Sequence, residues 1–250
     1  QACDAWQFPI FFVLAFTGLR VGELTHLLID HGVDLDAGVL RVLNKPGLGW
    51  QVKTRNVRDV PLLPEVATIM QGGMRGRHAG PVFLRRRFTK GGDLPLLAGR
   101  SVLELEQEVV RRTATAQAAA PSPLSRAEVA RIARSVWLDA GGIKETTIRG
   151  EFMKVTTKIG LAHLTCPKDL RHLFATSLQV AGVDPMIRRD VMGHTTLEMT
   201  SHYTHTQNGT RLRELHRLDE VRGEVLNLAR LRLAESGRCG SEACLEETRV

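Results

Sequence analysis

Aromatic residues and cysteines are both scarce in this sequence. Phe, Trp and Tyr make up 5% of the 250 residues, and Tyr203 is the single tyrosine. None of the four cysteines, Cys3, Cys166, Cys239 and Cys244, forms a CxxC pair or a Cys/His pair with the spacing of a structural zinc site. This usage excludes a disulfide-rich secreted scaffold and a zinc-ribbon class, and we expect a reducing, cytoplasmic setting.

Long hydrophobic runs are missing as well. The longest, from Phe8 to Phe16, is too short to span a bilayer and is followed directly by a polar turn, so it predicts a buried helix. The sequence contains no signal peptide or anchor, and it starts without methionine inside an apparent helix. We therefore expect no membrane partner, and we expect this chain to lack a domain that precedes it in a longer protein.

The composition is that of a globular protein with a basic surface. Hydrophobic residues make up 43% of the chain and charged residues 24%, enough for one large domain or a domain with an insertion. Lys and Arg number 34 against 27 Asp and Glu, which gives a formal net charge of +7 and a pI near 9.7. This balance suits a polyanionic partner such as nucleic acid.

Hydrophobic periodicity predicts a mainly helical α+β fold with a small antiparallel β-meander in the N-terminal third. The predicted strands are short alternating runs at 39–43, 50–53 and 57–62. The predicted helices cover 4–16, 21–29, 64–70, 101–112, 125–139, 147–161, 168–180, 185–192, 196–204 and 210–234.

We interpret residues 1–236 as one domain with an irregular insertion at about 71–146. Within the insertion, an Ala/Thr/Pro/Ser segment at 113–125 separates two helical patterns and predicts a flexible middle. Residues 237–250 are polar and predict a disordered tail.

The sequence TGLRVGEL, residues 17–24, places an arginine at the start of a predicted helix. Free backbone N–H groups and the helix dipole attract an anion at such a position, so a cation there indicates that a phosphate joins it. A surface ion pair between Arg20 and Glu23, one turn apart, is the alternative.

The sequence KDLRHLFAT, residues 168–176, begins another helix with two cations on one face. Lys168 and Arg171 are suited to grip one phosphate, because the planar fork of an arginine holds two oxygens of a phosphorus transition state. The alternative is a solvated basic helix face. Leu170 and Phe174 next to Arg171 indicate instead that the arginine is partly buried and has a partner.

A Gly193-His194 pair and Tyr203, nine residues after His194, complete the pattern. The series TGLRxxEL, hairpin lysine, KxxRH, GH and Tyr resembles the tyrosine recombinase family, the phage integrase and Xer-like enzymes. The resemblance runs from about residue 8 to about residue 206, interrupted at 71–146.

The resemblance implies a site-specific DNA recombinase that cuts and rejoins strands through a 3′-phosphotyrosyl intermediate on Tyr203. Arg20 and Arg171 match the two arginines that clamp the scissile phosphate, and His194 matches the His-or-Trp position that hydrogen-bonds a phosphate oxygen. A tyrosine hydroxyl has a pKa of about 10, so nearby arginines or a base must activate it. The covalent link conserves bond energy, so no cofactor, neither ATP nor a metal, is implied, and the sequence has no P-loop.

Two lysines are considered for the general acid that protonates the leaving 5′-oxygen. Lys53, in KTRNVRDVPL (53–62), matches the β-hairpin lysine of the family. Lys45, on the preceding turn, is a rival, and an ordinary surface lysine is the alternative for Lys53. Lys168 stands where the family most often has histidine; it can donate a hydrogen bond to phosphate but, when protonated, cannot act as a base. His172 is expected to be a buried structural histidine.

The resemblance further implies double-stranded DNA as the partner, a homo-oligomeric tetramer on that DNA, and a location at the nucleoid. An upstream core-binding domain would complete the DNA clamp. The expected DNA contacts come from Arg55 and Arg58 and from the run Arg85, Arg86 and Arg87, for which a solvated basic loop is the alternative.

The amphipathic stretch 210–234 is expected to pack within the chain or on a neighbouring protomer. Two other functions stay open. One is a type IB topoisomerase, which shares this chemistry but relaxes DNA as a monomer, and the other is a catalytically inactive DNA-binding relative.

Overall fold

The computed structural model describes the backbone of most of the chain and the side chains up to position 234. The described ranges are 2–52, 57–89, 93–193 and 208–246, and at 208–210 and 235–246 the description covers the backbone alone. Lys53, Arg55, His194, Tyr203 and the predicted helix 196–204 therefore lie outside the described residues.

Helices dominate the described part of the chain, as predicted. They are α1 (Gln7–Thr17), α2 (Val21–Thr25), α3 (Pro64–Met74), α4 (Val102–Ala119), α5 (Arg126–Asp139), α6 (Glu145–Lys158), α7 (Lys168–Val180), α8 (Pro185–Met192), α9 (Asn208–Leu215) and α10 (Leu218–Glu246). Helix α2 is shorter than the predicted 21–29 because the backbone at 27–29 pairs with residues 80–82 instead. Among the described residues, no helix is long and apolar enough to cross a membrane.

The sheet is small, antiparallel and ordered β1-β2-β3, but its strands are not all those predicted. They are β1 (Val33–Asp34), β2 (Val39–Val42) and β3 (Arg58–Pro61), with Leu40 opposite both Val33 and Val60. Residues 50–52 of the strand predicted at 50–53 do not form a strand. Trp50 makes only an isolated bridge to Lys45. The reason is local: Pro46 opens a single 3-10 turn that closes at Gly49 with φ +68°, so the chain folds back before a ladder can form.

Helix α1 lies at the centre of the main core. Its residues from Ile10 to Thr17 are all buried, and a helix that is apolar on every side belongs inside a domain. It packs against α3 and α7, and burying a side chain such as Phe16 contributes about 1.5–3 kcal/mol. Gly18 ends the helix at φ +62°, and its N–H donates to the carbonyl of Leu14. This turn sends the chain directly into Arg20 and α2.

The insertion forms a helical hairpin with a core of its own. Helices α4 and α5 each begin with a capping box, Ser101 with Glu104 and Ser125 with Glu128. Their facing sides bury a second apolar cluster of Leu28, Leu48, Leu105, Val109, Ala133, Val136, Trp137 and Ala140. The flexible middle predicted at 113–125 is mostly helix, because α4 continues through the alanine-rich stretch to Ala119.

The last helix, α10, packs on the main core. Helix α10 contacts α3 and α7, with Leu226 and Ala229 buried and a kink at Arg222. The Arg222 guanidinium lies 4.1 Å from the Phe16 ring and donates to the Ala15 carbonyl at 2.8 Å. The helix runs to Glu246, whereas the sequence indicated a disordered tail after 236.

Candidate active site

The start of α2 is organised around the buried carboxylate of Glu23. Arg20 is the last residue before the helix, and its backbone N–H donates to Glu23 Oε2 at 2.8 Å. The Arg20 side chain also donates to Glu23 Oε1 at 2.9 Å. The Arg20–Glu23 pair foreseen as an alternative therefore exists, but it is not a surface pair, since the Glu23 side chain is 2% exposed and that of Arg20 27%.

Arg58 on β3 supplies the second partner of Glu23. Its two terminal nitrogens donate to the two carboxylate oxygens at 3.0 and 2.7 Å, and its Nε donates to the Val191 carbonyl at 3.0 Å. Burial by itself raises the pKa of Glu23, but hydrogen bonds and positive charge from Arg58 and Arg20 outweigh it and hold that pKa below its usual value. The carboxylate is therefore ionised and fixed.

Arg58 was expected to contact DNA, and the structure gives it a different place. Its side chain is 5% exposed and its guanidinium is engaged by Glu23 and Val191 inside the protein. The physical reason is the alternation of β3, which puts Arg58 on the same face as buried Val60. Arg58 therefore holds Glu23 and the end of α8 in position and is not a surface contact.

Arg171, in the first turns of α7, lies beside this pair and is buried as predicted. Its guanidinium donates to the carbonyls of Gly18 and Met192. Desolvation, reinforced by the positive charges of Arg20 and Arg58, lowers the pKa of Arg171 to about 10, so it stays protonated at neutral pH. Arg20 and Arg58 bind the Glu23 carboxylate, and Arg171 lies near enough to be affected by its charge. Three positive charges near one negative charge leave an excess of positive charge.

The end of α8 is held by the same arginines. Val191 accepts from Arg58 and Met192 accepts from Arg171. Gly193 follows at φ +63°, and a Cβ there would lie 2.8 Å from Cδ of Arg58. The segment that leads directly to His194 is therefore fixed to both the β3 and α7 arginines.

The turn after α1 is equally close-packed. A Cβ at Gly18 would lie 2.4 Å from the Phe174 ring and 2.9 Å from the sulfur of Met192. Glycine at this position lets the carbonyl that accepts from Arg171 approach α7 and α8.

Three other residues were candidates from the sequence. Two of them lie on the surface of α7, and the third lies buried in the 44–52 loop. Lys168 is exposed at the first position of α7. His172 is also exposed, which corrects the expectation of a buried histidine, because it points away from the face that carries Arg171 and Phe174. Lys45 is 2% exposed, and desolvation lowers its pKa to about 8, so as placed it is not presented to a DNA backbone.

The arginine run at 85–87 is only partly free. Arg86 binds Asp4 and Glu151 and lies 4.7 Å from the Trp6 ring, and Arg85 donates to the Leu138 carbonyl. Arg87 is exposed, stacked 4.4 Å from the Phe88 ring. The structure therefore favours a structural role for Arg85 and Arg86 and leaves Arg87 available.

The comparisons with known proteins agree with this architecture. The model of the phage integrase family matches residues 2–209. Tyrosine recombinase XerC of Pelotomaculum thermopropionicum is 32% identical over 108 residues, which are 42% of this chain and 35% of that protein. Tyrosine recombinase XerD of Neisseria meningitidis is 40% identical over 52 residues, 21% of this chain and 18% of that protein.

Among solved structures, the integrase from mycobacterium phage Brujita is similar with a TM-score of 0.50 at 18% sequence identity. The match covers 87% of this chain and 53% of that one. The chain thus spans about half of this structure and about a third of the XerC relative. The predicted fold class is confirmed.

Proposed function

Because this chain belongs to the phage integrase family, we propose that it is the catalytic domain of a site-specific recombinase that cuts and rejoins DNA through Tyr203. The proposed domain covers residues 1–236, and a core-binding domain upstream would complete the enzyme. Its substrate is double-stranded DNA, so the protein acts at the nucleoid in the cytoplasm.

The observation that carries the proposal is the arginine cluster around Glu23. Arg20 and Arg171 lie close enough that the positive charge of Arg20 lowers the pKa of Arg171. Fixed cations whose charge is only partly neutralised are suited to stabilise the negative charge that develops on a phosphate in its transition state. A phosphate bound there relieves the mutual repulsion of the arginines.

In the proposed reaction, Tyr203 loses its hydroxyl proton to solvent and attacks the scissile phosphorus as the phenolate, while the bond from phosphorus to the 5′-oxygen breaks. Lys53 gives its proton to the departing 5′-oxygen, and Arg20, Arg171 and His194 hold the non-bridging oxygens. Lys168 adds a hydrogen bond to the phosphate. The 5′-hydroxyl of a partner strand then attacks the phosphotyrosine and gives its proton back to Lys53, while the bond from phosphorus to Tyr203 breaks and releases the phenolate, so no external energy source is consumed.

Assembly as a tetramer on DNA is part of the proposal. The outer face of α10 supports a contact with a second copy, since Val221, Val225, Leu228 and Leu231 are each at least 40% exposed. Arg87 is the proposed DNA contact among the described arginines of the 85–87 run, and Arg55 is a further one.

The test is a covalent trap. The protein is incubated with supercoiled DNA that carries the ends of its encoding element, the reaction is stopped with detergent, and protein-linked DNA is measured. We expect an adduct with the wild type and none with Tyr203→Phe, which should bind DNA as the wild type does. Relaxation of any supercoiled plasmid without a site requirement would favour a type IB topoisomerase, and binding without an adduct, even on nicked DNA, would favour an inactive relative.

A further inference from the structure

The α4–α5 hairpin packs on the 44–52 loop, which ends at the residue directly before Lys53. Leu48, in the 3-10 turn of this loop, is buried in the same apolar cluster as Leu105 and Val136 of the hairpin. Two glycines allow the close approach: a Cβ at Gly47 would lie 2.5 Å from the Glu106 carboxylate, and one at Gly49 would lie 3.1 Å from the alanine at position 133. The insertion therefore covers this loop instead of projecting away from it.

A three-ring stack joins the hairpin and the loop to α2. The imidazole of His26, which follows α2, lies between the rings of Trp50 and Trp137, at 4.9 and 5.0 Å and within 18° of parallel to each. His26 Nδ1 is 2.8 Å from the Gly22 carbonyl in the helix itself. One stack thus links α5, the 44–52 loop and helix α2, which directly follows Arg20.

The loop is also fixed internally up to its last residue. Lys45 and Trp50 exchange backbone hydrogen bonds at 3.0 and 3.1 Å. The N–H of Val52 donates to the Asn44 side chain at 2.9 Å, and Val52 is 1% exposed. Positions 44–52 are therefore held by contacts from both sides, and Lys53 is the next residue in the sequence.

We propose that the α4–α5 hairpin is a brace for the general acid: through Leu48 and the Trp50–His26–Trp137 stack it fixes the residues that directly precede Lys53, relative to helix α2, which directly follows Arg20. This inference rests on the proposed function, because it needs Lys53 to be the proton donor. Trp137 and Trp50 are positioning residues in this account. Misplacing a catalytic group by 1 Å can lower a rate by about 10²-fold.

The test compares two nicked duplex substrates, one natural and one with sulfur in place of the bridging 5′-oxygen at the scissile phosphate. A thiolate leaves without a proton because its conjugate acid is far stronger than an alcohol, so the sulfur substrate bypasses the general acid. The rate of adduct formation is measured for wild type, Trp137→Leu, Trp50→Leu and Lys53→Ala. Leu103→Ala, on the solvent face of α4 with 61% exposure, is the matched control.

We expect Trp137→Leu and Trp50→Leu to react roughly tenfold or more slowly than wild type on the oxygen substrate. On the sulfur substrate both should react within about threefold of wild type, as should Lys53→Ala, and Leu103→Ala should match wild type on both. Trp137→Phe should restore most of the loss, since it keeps a ring on His26. Trp50 is not part of the apolar cluster between α4 and α5, so Trp50→Leu still tests the proposal if Trp137→Leu does not fold.

Three results would overturn the brace. If Trp137→Leu and Trp50→Leu were slowed equally on both substrates, the α4–α5 hairpin would support the phosphate-binding arginines or the stability of the fold instead of the general acid. If neither variant were slowed on either substrate, the hairpin would have no positioning role. A Lys53→Ala variant that sulfur does not rescue would remove the acid on which the brace acts, while the phosphotyrosine chemistry would still stand. Failure of the proposed function itself is recognised separately, by wild-type protein that forms no adduct with either substrate or by a Tyr203→Phe variant that still forms one.

Discussion

Arg58 grips both carboxylate oxygens of Glu23, at 3.0 and 2.7 Å, with the two side chains 5% and 2% exposed. The same carboxylate fixes Arg20, and the same guanidinium holds the end of α8. This one ion pair therefore connects β3, α2 and the segment that leads to His194. The arginines that we propose bind phosphate are held in place by a pair that need not touch it.

Glu23→Gln should destabilise the fold by about 3 kcal/mol or more, because breaking a buried ion pair leaves an uncompensated charge. The free energy of unfolding is measured by urea titration. Glu108→Gln is the control, since Glu108 also binds two arginines, Arg111 and Arg112, but on the surface of α4. It should cost less than about 1 kcal/mol. Equal losses in the two variants would contradict a special role for the Glu23 pair.

Arg171→Lys should lower both stability and the rate of adduct formation. The single nitrogen of a lysine cannot occupy the places of both guanidinium nitrogens that donate to the Gly18 and Met192 carbonyls, so about 1–3 kcal/mol of stability is lost for an unsatisfied buried group. Losing one fixed donor to the transition state should slow the reaction about 10²-fold at saturating DNA.

Arg217→Lys is the matched control for Arg171→Lys. Arg217 also donates to a glycine carbonyl, that of Gly182 at 3.1 Å, but its side chain is 48% exposed. Stability and rate should both stay near wild type. A normal rate in Arg171→Lys, measured on folded protein, would argue against Arg171 as part of the phosphate clamp.

Gly18→Ala should destabilise more than Gly182→Ala. Both glycines have a positive φ, +62° and +69°, so alanine is strained at either by about 1–2 kcal/mol. At Gly18 the added methyl group also meets Phe174 and Met192, which adds about 1–3 kcal/mol of overpacking, whereas nothing lies within 4 Å at Gly182. Chemical denaturation of the two variants measures the difference. Equal losses would show that the turn after α1 is not close-packed.

The sequence predicts the segments that carry the proposed catalytic residues better than the contacts that hold those residues in place. The family is confirmed by the match over residues 2–209, and the burial of Arg171 follows from its apolar neighbours on α7. The expected DNA contact of Arg58 is wrong, because alternation along β3 puts its side chain on the inward face with Val60. Long-range pairing explains this: the partner Glu23 lies 35 residues away, and only the fold brings the two together.

The insertion was the least predictable region, and the reason is physical. Its apolar residues are spaced for helices, but the partners that bury them, Leu28 and Leu48, come from distant loops. The strand expected at 50–53 fails partly for a related reason: besides the local turn at 46–49, Trp50 packs on His26 instead of extending a ladder. Local periodicity carries no information on such contacts.

Acid should weaken the fold through His26. Desolvation, together with the charge of Lys45, lowers the pKa of His26 to about 4 despite its hydrogen bond to Gly22. Above pH 6.5 the ring is neutral in both folded and unfolded chains, so it has no effect. Between 6.5 and about 4 the unfolded chain binds a proton that the folded chain does not, so the free energy of unfolding falls as the pH is lowered.

The measurement is the difference in unfolding free energy between wild type and His26→Gln across this pH range. It should change by on the order of 2 kcal/mol in favour of the variant as the pH falls. A constant difference across this range would show that burial does not lower the pKa of the stacked ring.

The central claim is tested most directly by mass spectrometry of the trapped adduct. Trypsin releases residues 190–211 as one peptide, which holds the only tyrosine of the chain. The account predicts that this peptide carries the DNA on Tyr203 through a 3′-phosphate, and that the other DNA end has a free 5′-hydroxyl. Linkage through a 5′-phosphate, or DNA on any other peptide, would contradict it.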